Sequence, residues 1–398
     1  MTLKQAIGIA VARSDDLAGV RAALSRADAT RKRAIASLIP NLSAQASYTL
    51  NDEEVRGGSS VIVPRDNMAG AMAVTMTLFD GRAIPGLLAA KSRFQAAEAN
   101  LDDARTELRF RVADAYINVL AAEALSQVAE RSVEARSAQL SAAQARLDTQ
   151  TGLSMDVFRA KAAYFRAQRE QLNAKAQVDA MRDVLATLLG LTPPLESALV
   201  MPSKRVVPSF READAKVAAL SARRDLEAQA LAVNAAEQLE LATWLSYLPS
   251  ISVQGNVSLG RETFANPDGV QVQLTLQLTW LLYDGGMRSA QLEEDGAVIR
   301  EAQARRRVRE RQVVASVRSV LRAIKVNGAA AASAKAEQKA ASEAVAGASA
   351  AFKVGRATGL ELLEAQVAFE QAQVEVVRAQ LETLRAQFQL IRVLGERP

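Results

Sequence analysis

VQVQLTLQLTWLLYDGG, residues 270–286, alternates apolar and polar side chains over its first eleven positions. Valine, leucine and tryptophan occupy the even positions from 270 to 280, and glutamine and threonine occupy the odd positions between them. A period of two is typical of a β-strand with one apolar and one polar face. About ten residues is also the length that a tilted strand needs to cross a bilayer. This stretch therefore predicts a membrane-spanning strand.

The same alternation recurs in NLSAQASYTLN, MAVTMTLFDG and ISVQGNVSLG, and no other stretch alternates comparably. In each of them the apolar side chains share one face, and small polar side chains share the other. The chain is therefore expected to contribute four membrane strands. The predicted strands span about residues 40–52, 69–80, 249–260 and 269–282.

Four such strands cannot form a stable membrane sheet alone. The two sheet edges would leave unpaired N–H and C=O groups in hydrocarbon, and each such group costs several kcal/mol. The strands are therefore expected to close with strands from other copies of the chain. Two copies would supply eight strands and a barrel filled by side chains, whereas three would supply twelve and leave a lumen. The small polar residues on the strands favour the open, trimeric version.

Long helices are predicted for most of the remaining chain. The sequence contains 79 alanines and only 4% aromatic residues, which is typical of closely packed helices. No proline or glycine occurs between Gly86 and Gly152. Helices of about 60 to 65 residues would rise on the order of 95 Å. Apolar residues spaced by three or four indicate coiled-coil seams, formed by Leu101, Ala104, Leu108, Val112, Ala115, Val119 and Ala122, and by Val313, Val317, Val320 and Ile324.

Five short motifs recur in the same order at offsets of 204 to 209 residues. Among them, LIPNLSAQ corresponds to YLPSISVQ, and LFDG corresponds to LYDG. This agreement predicts a tandem duplication in which each half reads helix, strand, loop, strand, long helix, shorter helix. The predicted repeats span 1–192 and 209–398, joined by a proline-rich linker at 193–208. The long helices are expected at 84–149 and 286–353, and the shorter ones at 153–190 and 360–396.

Composition excludes several classes of enzyme. The chain has no cysteine and no histidine, which removes thiol nucleophiles, serine–histidine triads and ordinary zinc sites. We expect neither an enzyme nor a bound metal or cofactor. Nucleic acid is not an expected partner, because the net charge of +5 comes from interleaved acids and bases. The most basic stretch, RRRVRER at 305–311, is accompanied by Glu301 and Glu310 and favours a solvated helical face.

Targeting signals are absent from the sequence as it stands. No apolar run reaches 18 residues, so no transmembrane helix is expected. The first ten residues, MTLKQAIGIA, lack the apolar core of a signal peptide. If the protein is exported, the leader is expected to be already absent from this chain. A lipid anchor on a cysteine lost with the leader stays open.

The ordered motifs resemble those of TolC-type outer membrane efflux proteins. The resemblance rests on the tandem halves, the proline before each first strand and the aromatic-Asp-Gly after each second strand. It also rests on DAYINVL at 114–120 and FKVGRATGLELLEAQ at 352–366, and it covers essentially the whole chain. The resemblance implies a mainly α fold with a small membrane β part. It further implies a homotrimer with a 12-stranded barrel, four strands per chain, continued by a periplasmic α-helical coiled-coil barrel.

The same resemblance implies a passive exit duct in the outer membrane and periplasm of a Gram-negative bacterium. Such a duct serves a tripartite efflux or type I secretion system and carries small molecules or proteins to the exterior. The implied partners are the lipid bilayer, a periplasmic adaptor (membrane fusion) protein and an inner-membrane transporter of the RND or ABC type. The sequence does not distinguish the two transporter types or identify the cargo.

The resemblance also assigns candidate site residues. Glu361 and Glu364 match acidic residues that line the narrowest part of the tunnel, and their spacing of three puts them on one helix face. Threefold symmetry would make two rings of carboxylates that attract cations. The alternative is that both are solvated helix residues. Asp156 matches a gate position, whereas the family's gate arginine aligns with Ala357. Arg356 lies one residue earlier, about 100° around a helix, so an Asp156–Arg356 contact is either remade or missing.

Two other classes of protein remain alternatives. A soluble periplasmic coiled-coil scaffold or adaptor would share the helices but would not need four alternating strands. An enzyme on a helical frame would depend on paired carboxylates, and no convergent pair occurs outside the Glu361 region. Four aromatic residues fit either an interfacial belt or ordinary strand packing. They are Tyr48, Phe79, Trp280 and Tyr283.

Overall fold

The computed structural model describes residues 1–58, 60–202, 211–260, 269–354 and 356–395. The chain is mainly helical with one small antiparallel sheet of four strands, which confirms the fold class predicted for a single copy. The helices are α1 (Leu3–Arg13), α2 (Asp15–Ala36), α3 (Ala83–Asp148), α4 (Ser154–Leu188), α5 (Glu212–Ala222), α6 (Arg224–Leu245), α7 (Met287–Lys353) and α8 (Gly359–Val393). The strands are β1 (Asn41–Leu50), β2 (Val55–Gly57), β3 (Ser60–Val63), β4 (Asp66–Phe79), β5 (Ser250–Leu259) and β6 (Val270–Thr279).

The chain divides into two compact units, and each unit draws on both halves of the sequence. The sheet unit comprises Arg21–Asn100 and Asp225–Val308. The helical unit comprises Met1–Val20, Leu101–Arg224 and Arg309–Pro398. The compact units are therefore different from the two repeats predicted from the sequence, although the order helix, helix, strands, helix, helix does occur twice. Part of the predicted linker, residues 203–208, lies outside the described residues.

In the sheet unit the strand order is β1-β4-β5-β6, and all three pairings are antiparallel. The central pairing, β4 with β5, joins the first half of the chain to the second. Directly opposed residues on antiparallel strands project to the same face, so the register continues the alternation of each strand across the whole sheet. One apolar row consists of Leu42, Val74, Gly255 and Leu274, and the polar row beside it consists of Ser43, Ala73, Asn256 and Gln273.

A bulge near the end of β4 changes one predicted position. Thr77 lies opposite Ser252, but the next opposed pair is Phe79 with Ile251. Leu78 is the extra residue of the bulge, since a bulge places two residues of one strand against one of its partner. The prediction that Leu78 continues the apolar face is therefore wrong, and Phe79 takes that place.

A second hairpin interrupts the connection between β1 and β4, where the sequence analysis expected only a loop. Strands β2 and β3 pair with each other and form a separate two-stranded sheet. At the base of this hairpin, Asn51 donates its backbone N–H to Arg65 O at 2.6 Å and its side-chain amide to Pro64 O at 2.7 Å. The corresponding connection between β5 and β6, residues 261–268, lies outside the described residues.

Each half begins with two helices rather than the one that the sequence analysis expected. The first break falls at Ser14, whose backbone is extended, and the second at Arg223, which is extended too. The Ser14 hydroxyl accepts a hydrogen bond from the Leu17 N–H at 3.3 Å. Serine stabilises a helix start in this way better than it stabilises a helix interior, which accounts for the break between α1 and α2.

The helical unit has a core of closely spaced small and branched side chains. The predicted seam residues of α3 and α7 are buried, except for Ala104 and Ile324, which are half-buried. Tyr116 of the DAYINVL motif is fully buried, and its hydroxyl lies 2.8 Å from Met1 O and 2.7 Å from Val200 O. The tyrosine therefore holds the first residue and the segment after α4 against α3.

An ion pair connects α5 to α7 in the helical unit. The Glu212 carboxylate accepts from Lys216 Nζ at 2.6 Å and from Arg318 Nε at 2.7 Å. These two hydrogen bonds, the one from Lys216 first, lower the pKa of Glu212 to about 2. The Glu212 carboxylate is thus ionised at any pH above the normal pKa range of a glutamate.

None of the helices in the described part of the chain is long and apolar enough to cross a membrane.

Each strand pair turns into a long helix through a motif of aspartate, glycine and arginine. Asp80 accepts from the Arg82 N–H at 2.9 Å and from Arg82 Nη2 at 2.9 Å. Asp284 accepts from the Arg288 N–H at 3.0 Å and from Arg288 Nε at 2.7 Å. In both corners an acid therefore caps the first turn of the helix and holds an arginine. The sheet is connected to α3 and α7 by equivalent chemistry.

At the first of these corners, replacing Gly81 is expected to lower the stability of the protein. A Cβ at this position would lie 2.7 Å from Leu245 O and 2.9 Å from Leu245 Cβ. We expect Gly81→Ala to destabilise the protein by roughly 1–3 kcal/mol, because the backbone of α6 would have to shift. Thermal melting of the helical circular dichroism signal measures this. Gly86→Ala is the matched control, since a Cβ there meets nothing within 4 Å; equal melting temperatures for the two variants would contradict the prediction.

Candidate functional site

The apolar face of the sheet is exposed to solvent in the single chain. Leu274 exposes 79% of its surface, and Leu42, Tyr48, Met72, Val272 and Leu276 are also exposed. Burying a leucine or valine side chain contributes about 1.5–3 kcal/mol, so leaving this face in water is costly. A contiguous apolar surface of this kind is typical of a membrane or protein contact.

The opposite face of the sheet is uncharged: β1, β5 and β6 carry polar side chains there, and β4 carries alanines in its middle with Thr75 and Thr77 beyond them. Gln254 of β5 lies between Thr75 of β4 and Thr275 of β6, and Ser252 lies beside Gln277. Within the described residues, β1 and β6 each pair with only one strand of this sheet. The two edge strands therefore present backbone N–H and C=O groups that another strand can satisfy.

In the helical unit, the turns after α3 and after α7 contain the same type of hydrogen bond, from a backbone N–H to the carbonyl oxygen five residues earlier. The Thr151 N–H donates to Arg146 O at 2.9 Å, and the Arg356 N–H donates to Ala351 O at 2.8 Å. The guanidinium carbon of Arg146 lies 4.1 Å from the centre of the Phe352 ring. This cation–π contact brings the two turns together at the same end of the unit.

Glu361, one of the two predicted constriction residues, forms a capping box at the start of α8. Its carboxylate accepts from the Thr358 N–H at 2.7 Å, and the Thr358 hydroxyl accepts from the Glu361 N–H at 3.2 Å. Sequence reasoning missed this role, although threonine followed three residues later by glutamate is its signature. Glu364 lies one turn further along α8, and both glutamates are exposed. The structure thus brings the two carboxylates to one helix face near the turn.

Asp156 occupies the equivalent position at the start of α4, the third residue of that helix. It has no capping partner there, because Leu153 precedes the helix and offers no side-chain hydrogen bond. Asp156 Oδ1 lies 3.8 Å from where a Cβ on Gly359 would be. Arg356 is exposed, and no ion pair joins it to Asp156 among the described residues. The structure therefore places Asp156 against the start of α8 rather than against Arg356.

A buried arginine that sequence reasoning missed connects α3 to α8. Arg136 is only 4% exposed, and it donates to Gln366 Oε1 and to Glu370 Oε1, both at 2.9 Å. A cleft of about 640 Å³ lies beside it between α3, α4 and α8. Since an arginine in a helix is normally solvated, nothing in the sequence separates Arg136 from the exposed arginines around it.

The aromatic residues of the second strand-to-helix corner are exposed. Trp280 donates its indole N–H to Tyr247 O at 3.0 Å, and Tyr283 exposes 83% of its surface. Arg288 lies over the Tyr247 ring at 4.3 Å. The interfacial belt remains a prediction. Over residues 1–58, 60–202, 211–260, 269–354 and 356–395, no group of three or more acidic side chains has the arrangement of a metal site.

Comparison with known families gives one match that covers most of the chain. The model for the family "Outer membrane efflux protein" matches residues 6–191 and 217–396. The two matched segments correspond to the two halves of the sequence and leave out most of the proline-rich stretch between them. They include the four strands of the main sheet and all four residues predicted for the constriction and gate.

Individual relatives are more distant. Outer membrane efflux protein BepC of Brucella suis biovar 1 (strain 1330) is 28% identical over 300 residues, which is 73% of this chain and 63% of BepC. The crystal structure of the outer membrane protein VceC from Vibrio cholerae matches with a TM-score of 0.88 and 21% identity, covering 99% of this chain and 96% of VceC. The Campylobacter jejuni CmeC outer membrane channel matches with a TM-score of 0.86 and 16% identity, covering 99% of this chain and 85% of CmeC. At these identities the structural matches show a shared fold.

Proposed function

The chain belongs to the outer membrane efflux protein family, and on that basis we propose that it is a passive exit duct through the outer membrane of a Gram-negative bacterium. The family and the fold are those of outer membrane channels. In the proposed role, the duct takes small molecules or proteins delivered from the periplasm or from an inner-membrane pump. It then releases them outside the cell without chemistry of its own.

One observation carries this proposal: the sheet has an exposed apolar face and, behind it, an uncharged face of serine, threonine, asparagine, glutamine and alanine side chains. Strands of ten to fourteen residues are long enough to span the hydrocarbon layer. The apolar face suits lipid, and the polar face suits a water-filled lumen. A soluble scaffold, the alternative function, would not require an exposed apolar sheet face or a polar face behind it.

We further propose that three copies close the sheet into one barrel. The strand directions alternate across β1-β4-β5-β6, so β6 of one copy runs antiparallel to β1 of the next. Closure removes both edges and satisfies the backbone groups that hydrocarbon would otherwise leave unpaired. Three copies supply twelve strands, which is enough to leave a lumen.

The expected result is a particle of three times 42.6 kDa in detergent. Light scattering coupled to size exclusion, corrected for bound detergent, measures the mass. Insertion of the purified particle into planar bilayers should give steady conductance. A monomer that remains soluble without detergent would contradict the proposal and support the scaffold alternative.

The partners proposed for this duct are a periplasmic adaptor protein and an inner-membrane transporter of the RND or ABC type. They follow from family membership and from the helical unit, which offers long exposed helices for such contacts. The gate is proposed at the turns after α3 and α7, where Asp156 and Arg356 lie. The position of Asp156 beside Gly359 supports a contact between the two helix pairs at this end.

Glu361 and Glu364 are proposed to form the narrowest, cation-selective part of the duct. We expect the double variant Glu361→Gln/Glu364→Gln to lose cation preference and sensitivity to block by divalent cations, because six carboxylates per trimer become neutral. Glutamine also serves in a capping box, so α8 should start normally. Single-channel recording under a salt gradient measures the selectivity.

Glu375→Gln is the control for this variant, since Glu375 lies on the same helix and is paired with Arg378. It should keep the parent's selectivity. If the double variant also kept the parent's reversal potential and divalent block, the two glutamates would be solvated helix residues and the constriction would lie elsewhere.

A further inference from the structure

The helical unit has a second cleft, which combines an apolar floor with a basic rim. The cleft lies between α3, α4 and α8, close to the ends of α4 and α8, and its volume is about 660 Å³. The charged residues that line it, among those the structure describes, are Arg111, Asp114, Arg385 and Arg392. The large apolar side chains that line it are Phe110, Ile117, Val184, Leu188 and Phe388. An apolar cleft of this size with a few polar groups at its edge is typical of a site for a small organic molecule.

The floor of the cleft is held in place by the packing of α3. Phe110 is 6% exposed and Ile117 is 1% exposed, so neither side chain is free to move into solvent. Phe388 of α8 is half-buried beside them, and Val184 of α4 is exposed at the edge. A ligand that enters the cleft therefore meets an apolar surface that is already formed, and little ordering of the protein opposes binding.

Arg385 belongs to the wall of the cleft. Its Nε donates to Asp114 Oδ1 at 2.7 Å, and its two terminal nitrogens donate to Glu382 and Asn118. All three nitrogens of this guanidinium are thus in use within the protein. Because Asp114 is the one acid in the described lining and is paired with Arg385, its charge is largely compensated.

Arg111 and Arg392 have donors to spare. Arg392 Nη2 lies 2.5 Å from Glu107 Oε2, and Arg111 Nη2 lies 3.0 Å from Asp16 Oδ2. A guanidinium has five N–H groups, and both of these side chains are 46% exposed. Glu107 and Arg111 are neighbours one turn apart on α3, so the contact with Glu107 brings Arg392 close to Arg111. Two converging arginines suit the oxygens of a carboxylate or sulfonate.

The cleft lies on the side of α3 that faces away from Tyr116. Asp114 is two residues from Tyr116, which places it about 160° around the helix. On the Tyr116 side, the tyrosine hydroxyl contacts Val200, so the chain that follows α4 covers that side. Extra chain inside a ring of helices would narrow a duct. The side with the cleft is therefore the one expected to face the lumen.

We propose that this cleft binds organic anions that have an apolar body and one sulfonate or carboxylate group. The apolar body lies on Phe110, Ile117 and Phe388, and Arg111 and Arg392 donate hydrogen bonds to the acid group. This inference rests on the proposed duct, because it makes such anions a class of cargo that the duct holds during passage. Binding is weak and reversible, since the cleft is open and a duct has to release its cargo.

Equilibrium dialysis of the full chain measures this binding. The protein is reconstituted in nanodiscs of phosphatidylcholine, whose headgroup has no net charge, and the signal of protein-free nanodiscs is subtracted. The probes are 2-naphthalenesulfonate and 2-naphthylmethylammonium, which have the same ring and opposite charges. The sulfonate should bind about tenfold more tightly than the ammonium ion, because only the anion accepts charge-assisted hydrogen bonds from the two arginines. Equal binding of the two probes would overturn the proposal.

Arg392→Gln is the test variant, and Arg378→Gln is its matched control. Both arginines lie on one line of α8, fourteen residues apart, and each is paired with a glutamate, but Arg378 does not line this cleft. Both variants lose one positive charge, so any general effect of charge on sulfonate binding is equal. Arg392→Gln should weaken sulfonate binding about tenfold, and Arg378→Gln should bind it as the parent does. Equal affinities of the two variants would contradict the assignment.

Val184→Trp tests the same cleft without any change of charge. Val184 is 54% exposed at the edge of the cleft, so a larger side chain there fits on the surface and fills the cleft. This variant should also lose most of its sulfonate binding while its helical circular dichroism signal and melting temperature stay near those of the parent. Sulfonate binding as tight as in the parent would show that the anion binds elsewhere and would overturn the proposal.

Conductance in planar bilayers separates this inference from the proposed function. A protein that conducts steadily but does not bind the sulfonate keeps its role as a duct, and only the anion site is overturned. A protein that binds the sulfonate in the cleft but does not conduct keeps the anion site, and the role of that site in cargo passage is overturned together with the duct.

Discussion

Leu274→Arg is expected to abolish assembly of the protein in the outer membrane, whereas Thr275→Arg is expected to leave assembly intact. Leu274 lies near the middle of β6 on the apolar face, beside Gly255. A charged side chain at mid-membrane on the lipid face of a barrel costs about 2–4 kcal/mol. The cost applies to each copy, so a trimer carries it three times.

Thr275 is the matched position, one residue away and on the polar face beside Gln254. An arginine there would project into water and would not need to be desolvated. The measurement is the amount of heat-modifiable oligomer in the outer membrane fraction, compared by denaturing electrophoresis of heated and unheated samples. Equal loss for both variants would mean that the lipid face and the lumen face are wrongly assigned.

The second large effect is expected at Arg136. Replacing it with methionine would leave Glu370 and Gln366 without their buried partner, and breaking such a pair costs about 3–5 kcal/mol. Because the Glu370 side chain is 27% exposed, water offsets part of the loss and the lower end of that range applies. Melting of the helical circular dichroism signal should show a clear drop in the midpoint.

Arg131→Met is the control for this prediction, since Arg131 is exposed on the same helix and has no ion pair in the described residues. It should melt near the parent temperature. The combined variant Arg136→Met/Glu370→Leu should recover part of the loss, because an apolar pair needs no desolvation of charge. Equal melting of the Arg131 and Arg136 variants would show that the buried pair contributes nothing to stability.

The sequence predicted the four sheet strands because each one alternates with a period of two, and this signal is local. It did not predict which residues oppose each other, since the register of β4 against β5 depends on contacts between distant parts of the chain. The bulge at Leu78 was not predicted for the same reason, because it is defined by the pairing of β4 with β5. Strands β2 and β3 were missed because three or four residues are too few to show a period.

In the candidate site too, features with a local sequence signature could be predicted, and features that depend on helix packing could not. The Thr358–Glu361 capping box has a signature that reads directly from the sequence, and the break at Ser14 has a weaker one. Arg136 has none: in the sequence it resembles Arg131, and only the packing of α3 against α8 makes it buried. Likewise, the position of Asp156 beside Gly359 depends on how the start of α4 packs against the start of α8.

The pairing of β4 with β5 has a consequence for biogenesis. Met72 and Val257 are direct neighbours in the sheet although about 185 residues separate them in the chain. Contacts between such distant residues form slowly. Until the second half of the chain has been made, β1 and β4 therefore lack their partner β5, and we expect their leucines, methionines and valines to stay exposed. During that interval we expect the apolar face of the hairpin to be prone to aggregate.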